Sequence, residues 1–386
     1  MKNATKFLIP VLLFTAMTAI GADADGTPKH ATTNIKTETE AKSQFVKIAL
    51  LLDTSNSMDG LIDQAKSQLW DIVNEFTHAR CGNATRPELQ IALYEYGNDD
   101  LASREGYIRQ VLNFSSDLDE ISERLFSLTT NGGEEFCGAV IDRSLRQLEW
   151  GKNPDDLKLI FIAGNEPFTQ GKLNFRDAAL QAKENDVVVN TIFCGNYDQG
   201  VNGKWKEGAV LAGGDYMAID HNRQVVHIAT PYDDIIIQLN AKLNKTYISY
   251  GSMGRQKAAA QAAQDKEAYD IAAGVSVKRA VSKSTRLYKN SMWDLVDAVE
   301  EDEVELAEVP KSSLPEELRN KSEQELKAYV QAKKDARENI QKEIQILNKK
   351  REAFIAEKHK NEEGGLENAM IQAIKKQAAD KNYRWE

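Results

Sequence analysis

The sequence predicts an α/β fold in which a doubly wound, mostly parallel six-stranded sheet is followed by an α-helical C-terminal region. Short apolar runs alternate along residues 45–251 with segments whose apolar residues recur at helical spacing, and this alternation is typical of strands joined by helices. Several runs, such as LKLIFIAG at residues 157–164, are apolar over nearly their whole length, as buried parallel strands are. Beyond residue 251 the chain becomes alanine-rich and then strongly charged, which favours helices.

The strand and helix patterns follow each other in a regular order. Strands are predicted at residues 45–53, 89–96, 107–114, 157–164, 187–195 and 215–220. The third of them alternates between polar and apolar residues, which favours a half-exposed edge strand. Helices are predicted at residues 61–76, 117–128, 136–150, 174–185, 205–214 and 235–251. The second helix follows Ser116 and Asp117, and both residue types commonly cap helix N-termini.

The N-terminal residues 1–24 have the composition of a secretory signal peptide. Two lysines precede an apolar run at residues 7–20, and small residues follow it. The run is too short to be a good membrane span, and no later stretch is apolar enough to cross a bilayer. We therefore expect a signal peptide at 1–24, a polar and flexible leader at 25–44, and a mature protein that is exported to the periplasm or secreted.

The C-terminal part is predicted to be helical in two sections. Residues 252–309 form a helical extension, which includes a helix over residues 283–302, and residues 310–386 form a charged helical hairpin or a coiled-coil-like region. The apolar seam of the long charged helix is interrupted by basic residues, namely Lys333, Arg337 and Arg351. An interrupted seam favours a helix folded against another helix over a long dimeric coiled coil, with the turn at Gly364 and Gly365.

The charge and the motif content of the chain exclude several functions. The formal net charge is −10, which argues against binding to nucleic acid or to anionic lipid surfaces. The motifs of zinc proteases, serine hydrolases and P-loop nucleotidases are absent, and the five histidines are scattered. We therefore expect that the chain is not an enzyme. A weaker alternative is a hydrolase that uses Glu134 and Glu166 as its acid and base.

One carboxylate and two hydroxyl groups follow the first predicted strand, on Asp53, Ser55 and Ser57. Ligand sites in open α/β sheets lie just beyond the carboxyl ends of the strands. Oxygen ligands gathered there suit Mg²⁺ or Ca²⁺, and also Mn²⁺. The alternative is a simple loop in which Asp53 or Ser57 caps the next helix.

The strand that ends in D-x-S-x-S, the glycine-rich loop before the third large helix and the predicted parallel sheet together resemble the von Willebrand factor A-like (VWA) domain. The resemblance covers roughly residues 46–251. The sequence segments that flank these motifs look like those of exported bacterial VWA proteins with a helical C-terminal extension. It implies the strand order 3-2-1-4-5-6. It also implies a metal-ion-dependent adhesion site where strands 1 and 4 meet.

The resemblance further implies which residues complete the ion site. The family adds a threonine from the second loop and an aspartate after the fourth strand to the three residues of D-x-S-x-S. This chain has Glu134 where the threonine usually stands and Asn165 where the aspartate usually stands. Glu134 would supply a carboxylate, and Asn165 or Glu166 would reach the ion directly or through water. The alternative is a site that has lost its ion, with loops that bind a partner unaided.

On this fold a disulfide is predicted between Cys137 and Cys194. Cys137 opens the helix behind the glycine-rich loop, and Cys194 ends a strand at the same carboxyl edge of the sheet, so the bond would brace the site loops. Cys81 follows the first helix and is expected to stay outside the pair. Export favours disulfide formation, whereas the alternative is three reduced, buried cysteines.

Two functions are compatible with these observations. The first is a protein-binding module, in which an acidic side chain of a partner protein completes the coordination of Mg²⁺, Ca²⁺ or Mn²⁺ at the carboxyl edge of the sheet. The second is a metal-free structural scaffold of a cell-envelope assembly, which acts mainly through its C-terminal helices.

Overall fold

The computed structural model describes residues 44–82, 86–220, 222, 227–358 and 366–385. The predicted signal peptide and the predicted leader up to residue 43 lie outside this part of the chain. The strands are β1 (Phe45–Asp53), β2 (Ala79–Cys81), β3 (Glu88–Tyr96), β4 (Ile108–Ser115), β5 (Leu157–Gly164), β6 (Val188–Cys194), β7 (Gly213–Ile219) and β8 (Tyr383–Trp385). The helices are α1 (Asp59–Phe76), α2 (Leu118–Phe126), α3 (Cys137–Gln147), α4 (Phe175–Glu184), α5 (Tyr197–Asn202), α6 (Trp205–Leu211), α7 (Asp233–Asn244), α8 (Gly254–Ile271), α9 (Ala273–Lys283), α10 (Leu295–Glu300), α11 (Glu323–Lys358) and α12 (Leu366–Ala379).

Six strands form one sheet in the order β4-β3-β1-β5-β6-β7, and only β4, at the edge, is antiparallel to its neighbour. The predicted fold class and strand order are confirmed. The register pairs Asp53 of β1 with Tyr96 of β3, and Leu52 with Ala163 of β5. The carboxyl ends of the three central strands therefore meet at one edge of the sheet.

The two faces of the sheet are covered by different helices. Because successive side chains of a strand point to opposite faces, Leu50 and Leu52 of β1 join a hydrophobic cluster with α1 and α12. Ala49 and Leu51 join a second cluster with α3 and α4. Both faces are therefore buried, which explains why the strand sequences are almost continuously apolar.

The C-terminal helices belong to the same compact unit as the sheet, which includes every described residue. Ile344 of α11 packs with Ile236 of α7 and Val277 of α9 in a third cluster. Met370 and Ile374 of α12 belong to the cluster beside α1, whereas the apolar seam of α11 packs against α7 and α9.

The basic residues that interrupt the seam of α11 are contacts to the rest of the fold. Arg337 and Arg351 are both buried. The Nη1 atom of Arg337 lies 2.7 Å from Oδ2 of Asp294, and Nε of Arg351 lies 3.0 Å from Oδ1 of Asp233. These ion pairs hold α11 against α10 and against the start of α7.

A second buried ion network joins α2 to α8 and α9. Arg279 is 1% exposed, and its guanidinium donates to Asp119 at 2.7 Å and to Asp265 at 2.6 Å. Lys283, one turn further along α9, donates to the same Asp265 at 2.8 Å. Two cations and two carboxylates are thus paired where almost no water reaches them.

The segment 284–294 is irregular, although the sequence predicts a helix over residues 283–302. The hydroxyl of Ser284 donates to the carbonyl of Val281, and that of Thr285 donates to the carbonyl of Ser282, each at 2.7 Å. Such local bonds compete with helical hydrogen bonds, so α9 ends here. The chain becomes helical again only at α10, which Asp294 caps.

The predicted disulfide between Cys137 and Cys194 is not formed, and both residues are free thiols. The reason is that the sheet separates them. Cys137 packs in the cluster on the α3 and α4 face, whereas Cys194 packs in the cluster on the α1 face. Cys81 is buried in β2. Among the described helices, none combines the length and the apolar character that crossing a membrane requires.

Candidate functional site

The D-x-S-x-S segment folds into a compact loop at the carboxyl edge of the sheet. Asp53 is completely buried, and its Oδ1 accepts a hydrogen bond of 2.7 Å from the backbone N–H of Ser55. The hydroxyls of Ser55 and Ser57 lie 3.3 Å apart. The amide of Asn165, which follows β5, donates to the Ser57 hydroxyl at 3.0 Å. Four of the predicted site residues are therefore brought together.

The second carboxylate of the site is Glu135, which the sequence analysis missed. Glu134 is exposed, whereas Glu135 is 2% exposed and its carboxyl group lies within hydrogen-bonding reach of Asp53 and Ser55. The backbone N–H of Glu166 donates to Oε2 of Glu135 at 3.3 Å. The side chain of Glu166 is exposed, so Glu166 contributes to the site through its backbone.

Two buried carboxyl groups in contact change each other's acidity. Burial raises the pKa of Asp53, and the adjacent Glu135 raises it further. Burial also raises the pKa of Glu135, although bonds from Asp53 and Ser55 act in the opposite direction. Oδ2 of Asp53 is buried and has no hydrogen-bond donor. A proton or a cation between the two carboxyl groups would satisfy this oxygen.

Glycines allow the two carboxyl groups to approach. Gly133 has φ +152°, and a Cβ atom there would lie 2.2 Å from the carbonyl oxygen of Gly97. Gly97 has φ +79°, and a Cβ atom there would lie 2.8 Å from Cγ of Glu135 and 2.9 Å from Oδ1 of Asp53. The loop that carries Glu135 can therefore close over Asp53 only if both positions lack a side chain.

The substitution Gly97→Ala is expected to destabilise the fold by about 1–3 kcal/mol and to separate the carboxyl groups, since it adds a steric clash to an unfavourable φ angle. Gly213→Ala is the matched control, because Gly213 has φ +74° with no atom within 4 Å of the added Cβ. Urea unfolding of both variants measures the difference. An equal loss in the two variants would contradict the proposed close approach.

The donors of the site suit a hard divalent cation. Two carboxylates, two hydroxyls and one amide converge, and Oδ1 of Asn165 is also buried without a hydrogen-bond donor. No group of three or more His, Cys, Asp or Glu side chains is arranged to hold a metal among the described residues. A cation here would therefore depend on neutral oxygens as well as on Asp53 and Glu135, as Mg²⁺ and Ca²⁺ sites do.

Known structures with a related fold are only distantly similar to this chain. BatB from Bacteroides thetaiotaomicron, described as a conserved hypothetical protein, is 16% identical over 45% of this chain and 90% of its own, with a TM-score of 0.35. Proximal thread matrix protein 1 from the mussel byssus, with a zinc-occupied MIDAS motif, is 14% identical over 46% of this chain and 42% of its own, with a TM-score of 0.34. The pilus adhesin SpaC from Lactobacillus rhamnosus GG is 12% identical over 46% of this chain and 28% of its own, with a TM-score of 0.34.

No curated protein matches the sequence. A family model does match part of it, namely residues 47–202. This part includes the sheet from β1 to β6 and the loops that carry Asp53 and Glu135. The matching model is that of the von Willebrand factor type A domain, and together with the strand order it supports a von Willebrand factor type A domain in this part of the chain.

Proposed function

We propose that this chain is an exported protein-binding module that engages a partner through a divalent cation at the carboxyl edge of its sheet. Asp53, Ser55, Ser57, Glu135 and Asn165 would hold the cation. The observation that carries the proposal is the proximity of two buried carboxyl groups, those of Asp53 and Glu135, which both lie beside Gly97. Oδ2 of Asp53 has no hydrogen-bond donor among the described residues. Export rests on the composition of residues 1–24.

Domains of the von Willebrand factor A type are typically interaction modules, and the site offers no alternative chemistry. A bound divalent cation would supply a positive charge that attracts a carboxylate of the partner. Ser57 is exposed while Asp53 and Ser55 are buried. Asp53 and Ser55 would therefore bind the cation from the protein interior, and the partner would approach it from the solvent side, next to Ser57. We propose that the chain is not an enzyme, since no histidine of the described residues is hydrogen-bonded to Ser55 or Ser57.

The presence of a second buried carboxylate, that of Glu135, has a consequence for the ion. Asp53 and Glu135 together would contribute two negative charges from inside the site. Ca²⁺ tolerates irregular oxygen cages better than Mg²⁺, which requires a near-ideal octahedron. We therefore propose Ca²⁺ or Mg²⁺ as the ion, with Mn²⁺ as a third candidate. We expect the two negative charges of Asp53 and Glu135 to favour any of these divalent ions over a monovalent cation.

Glu135→Gln is expected to abolish stabilisation of the protein by divalent ions, whereas Glu134→Gln should leave it intact. An ion at about a hundred times its dissociation constant adds about 2.7 kcal/mol to the free energy of unfolding. The measurement is the melting temperature of chelator-treated protein against graded Mg²⁺, Ca²⁺ and Mn²⁺. Asp53→Asn should behave like Glu135→Gln.

The ion-free proteins provide the control for folding. Glu135→Gln removes one of two buried carboxyl groups in contact, so without ions its melting temperature should equal or exceed that of the unsubstituted protein. If the unsubstituted protein shows no saturable shift with any ion, the cation site is excluded. The remaining candidate is then a metal-free scaffold, whose test is partner binding by variants of exposed residues on α11.

Deletion of the C-terminal helices would not test that alternative. Ile344 of α11 and Met370 of α12 belong to hydrophobic clusters that the sheet and its helices share. A truncated chain would lose part of its core, and any loss of binding would reflect unfolding. Surface substitutions such as Ile346→Ser avoid this problem, since Ile346 is 56% exposed.

A further inference from the structure

A cleft of about 540 Å³ lies between the edge of the sheet and the irregular segment 284–294. Its walls come from the start of β3, the end of β4, the start of α2 and residues 286–293. Because Glu88 begins β3 and lines the cleft, the cleft lies at the opposite edge of the sheet from Asp53. A strand of nine residues spans roughly 25–30 Å, so the cleft is separate from the candidate ion site.

The cleft contains a guanidinium group whose hydrogen-bonding capacity is largely unused. Arg286 lines the cleft, and its Nη1 donates to the carbonyl of Pro87 at 3.0 Å. Its Nε and Nη2 atoms are buried and have no acceptor among the described residues. These two nitrogens carry the parallel N–H bonds with which arginine binds both oxygens of a carboxylate.

Asn290, further along the same irregular segment, supplies a third donor without an acceptor. Nδ2 of Asn290 is also buried without an acceptor, while its Oδ1 accepts a hydrogen bond from the indole of Trp293 at 2.9 Å. Asn290 and Trp293 both line the cleft. Three N–H-bearing nitrogens without acceptors among the described residues therefore belong to side chains that line one cleft, and a buried donor without an acceptor is unfavourable.

The charged groups around Arg286 act in both directions. Burial lowers the pKa of Arg286 and the nearby Arg86 and Arg80 lower it further, whereas Glu88, which also lines the cleft, raises it. The other cations of the cleft are paired, because Lys257 lies 2.8 Å from Asp117 and Lys289 forms an ion pair with Glu301. Among the described residues, Arg286 is therefore the cation of the lining without a carboxylate in ion-pair contact.

The rest of the cleft has an apolar part beside the carboxylates of Glu88, Asp117, Glu120 and Glu301. Met292 lines it and is 85% exposed, which is unusual for a large apolar side chain. Leu89, Phe114 and Leu287 also line it. A ligand with one compact oxyanion and an aliphatic portion would satisfy the donors and cover the exposed methionine.

We propose that this cleft binds an organic carboxylate, with the Arg286 guanidinium paired to both carboxylate oxygens and Asn290 donating a further hydrogen bond. Arg286 is half-buried and forms part of the wall, and binding requires its guanidinium to turn Nε and Nη2 toward the ligand. The carboxylate is acceptor-only when ionised, which matches a wall of donors. The aliphatic part lies against Met292.

Calorimetric titration of the full chain with sodium hexanoate at constant ionic strength tests the proposal. We expect saturable binding, with affinity at least tenfold weaker in Arg286→Met and unchanged in Arg255→Met, which alters an exposed arginine. Arg286→Lys keeps the charge but lacks the two parallel N–H bonds, so it should also lose at least tenfold. Lysine therefore provides a second variant if Arg286→Met does not fold.

Parallel titrations identify the group that is recognised. Hexanol, which has the aliphatic chain without the anion, should not bind, and sodium phosphate should bind more weakly than hexanoate. If phosphate binds more tightly than hexanoate and its binding also depends on Arg286, the cleft is an oxyanion site whose ligand is a phosphoryl compound, and the carboxylate assignment is wrong. Absence of saturable binding by both anions, or equal affinity in Arg286→Met, would overturn the proposal. A chelator should change neither result, which separates this test from that of the ion site.

Discussion

Arg279→Ala is expected to lower the free energy of unfolding by about 3–5 kcal/mol, the usual cost of removing one partner from a buried ion pair. The substitution leaves Asp119 and Asp265 without the guanidinium that bonds both of them. Urea denaturation at neutral pH measures the loss. Lys266→Ala is the matched control on α8, because the pair of Lys266 with Asp270 is exposed and such pairs contribute about 0–1 kcal/mol.

The dependence on pH separates charge from packing in this network. Burial alone would raise the pKa of Asp265, but Lys283 and Arg279 hold it at about 2. The stability that this carboxylate contributes is therefore complete above its unfolded value of 3.8 and is lost as pH falls toward 2. The deficit of Arg279→Ala should be smaller at pH 3 than at pH 7. A deficit independent of pH would indicate lost packing of Arg279 on the ring of Trp70, 4.9 Å away.

Arg337→Ala should have an effect of similar size, about 3–5 kcal/mol, for the same electrostatic reason. Asp294 is completely buried, and it would remain beside Asp297 without the guanidinium that contacts both. The guanidinium also lies 4.2 Å from the ring centroid of Tyr247, so cation–π attraction is lost as well. The control is Lys342→Ala on the same helix, whose pair with Glu338 is 4.0 Å long and exposed.

The shape of the unfolding transition is a second result for Arg337→Ala. Because α11 packs in a cluster with α7 and α9, we expect the variant to unfold in one step at lower denaturant concentration. Tryptophan fluorescence and far-UV circular dichroism should then report the same midpoint. Two separate transitions would contradict the single compact unit and would revive the interpretation of the C-terminal helices as a separate working part.

The sheet could be predicted from the sequence because its strands are buried on both faces. The runs that became β1, β5 and β6 have few polar residues, and no helix pattern competes with them. The D-x-S-x-S loop was likewise predictable, since Asp53 follows a buried strand directly. These inferences need only local pattern and the rule that ligand sites form at the carboxyl ends of strands.

The second carboxylate of the site could not be chosen in the same way. Glu134 and Glu135 are neighbours with the same side chain, and only the backbone at Gly133, with φ +152°, decides which of them turns inward. A weak signal was present in the sequence, because Gly97 follows β3 directly and glycine at a strand end often marks a close approach. That signal does not specify what approaches.

The ion-pair partners of buried polar residues could not be predicted from the hydrophobic pattern of the sequence either. Arg337 and Arg351 interrupt an apolar seam, and a periodicity argument counts them as breaks. In the folded chain they are buried and paired with aspartates distant in sequence. The disulfide prediction failed for a related reason. It placed Cys137 and Cys194 at the same edge of the sheet, whereas the face on which each thiol lies depends on the packing of α3 and on the register of β6.

The small sheet formed by β2 and β8 has a consequence for the synthesis of the protein. Tyr383 of β8 pairs with Cys81 of β2, and its hydroxyl donates to the carbonyl of Phe45 at 3.1 Å. At ribosomal rates of 5–20 residues per second, roughly 15–60 s separate the synthesis of β2 from that of β8. During this interval the face of α1 that α12 will cover stays open to water. Until β8 and α12 are synthesised, the nascent chain would present this apolar face to chaperones and proteases.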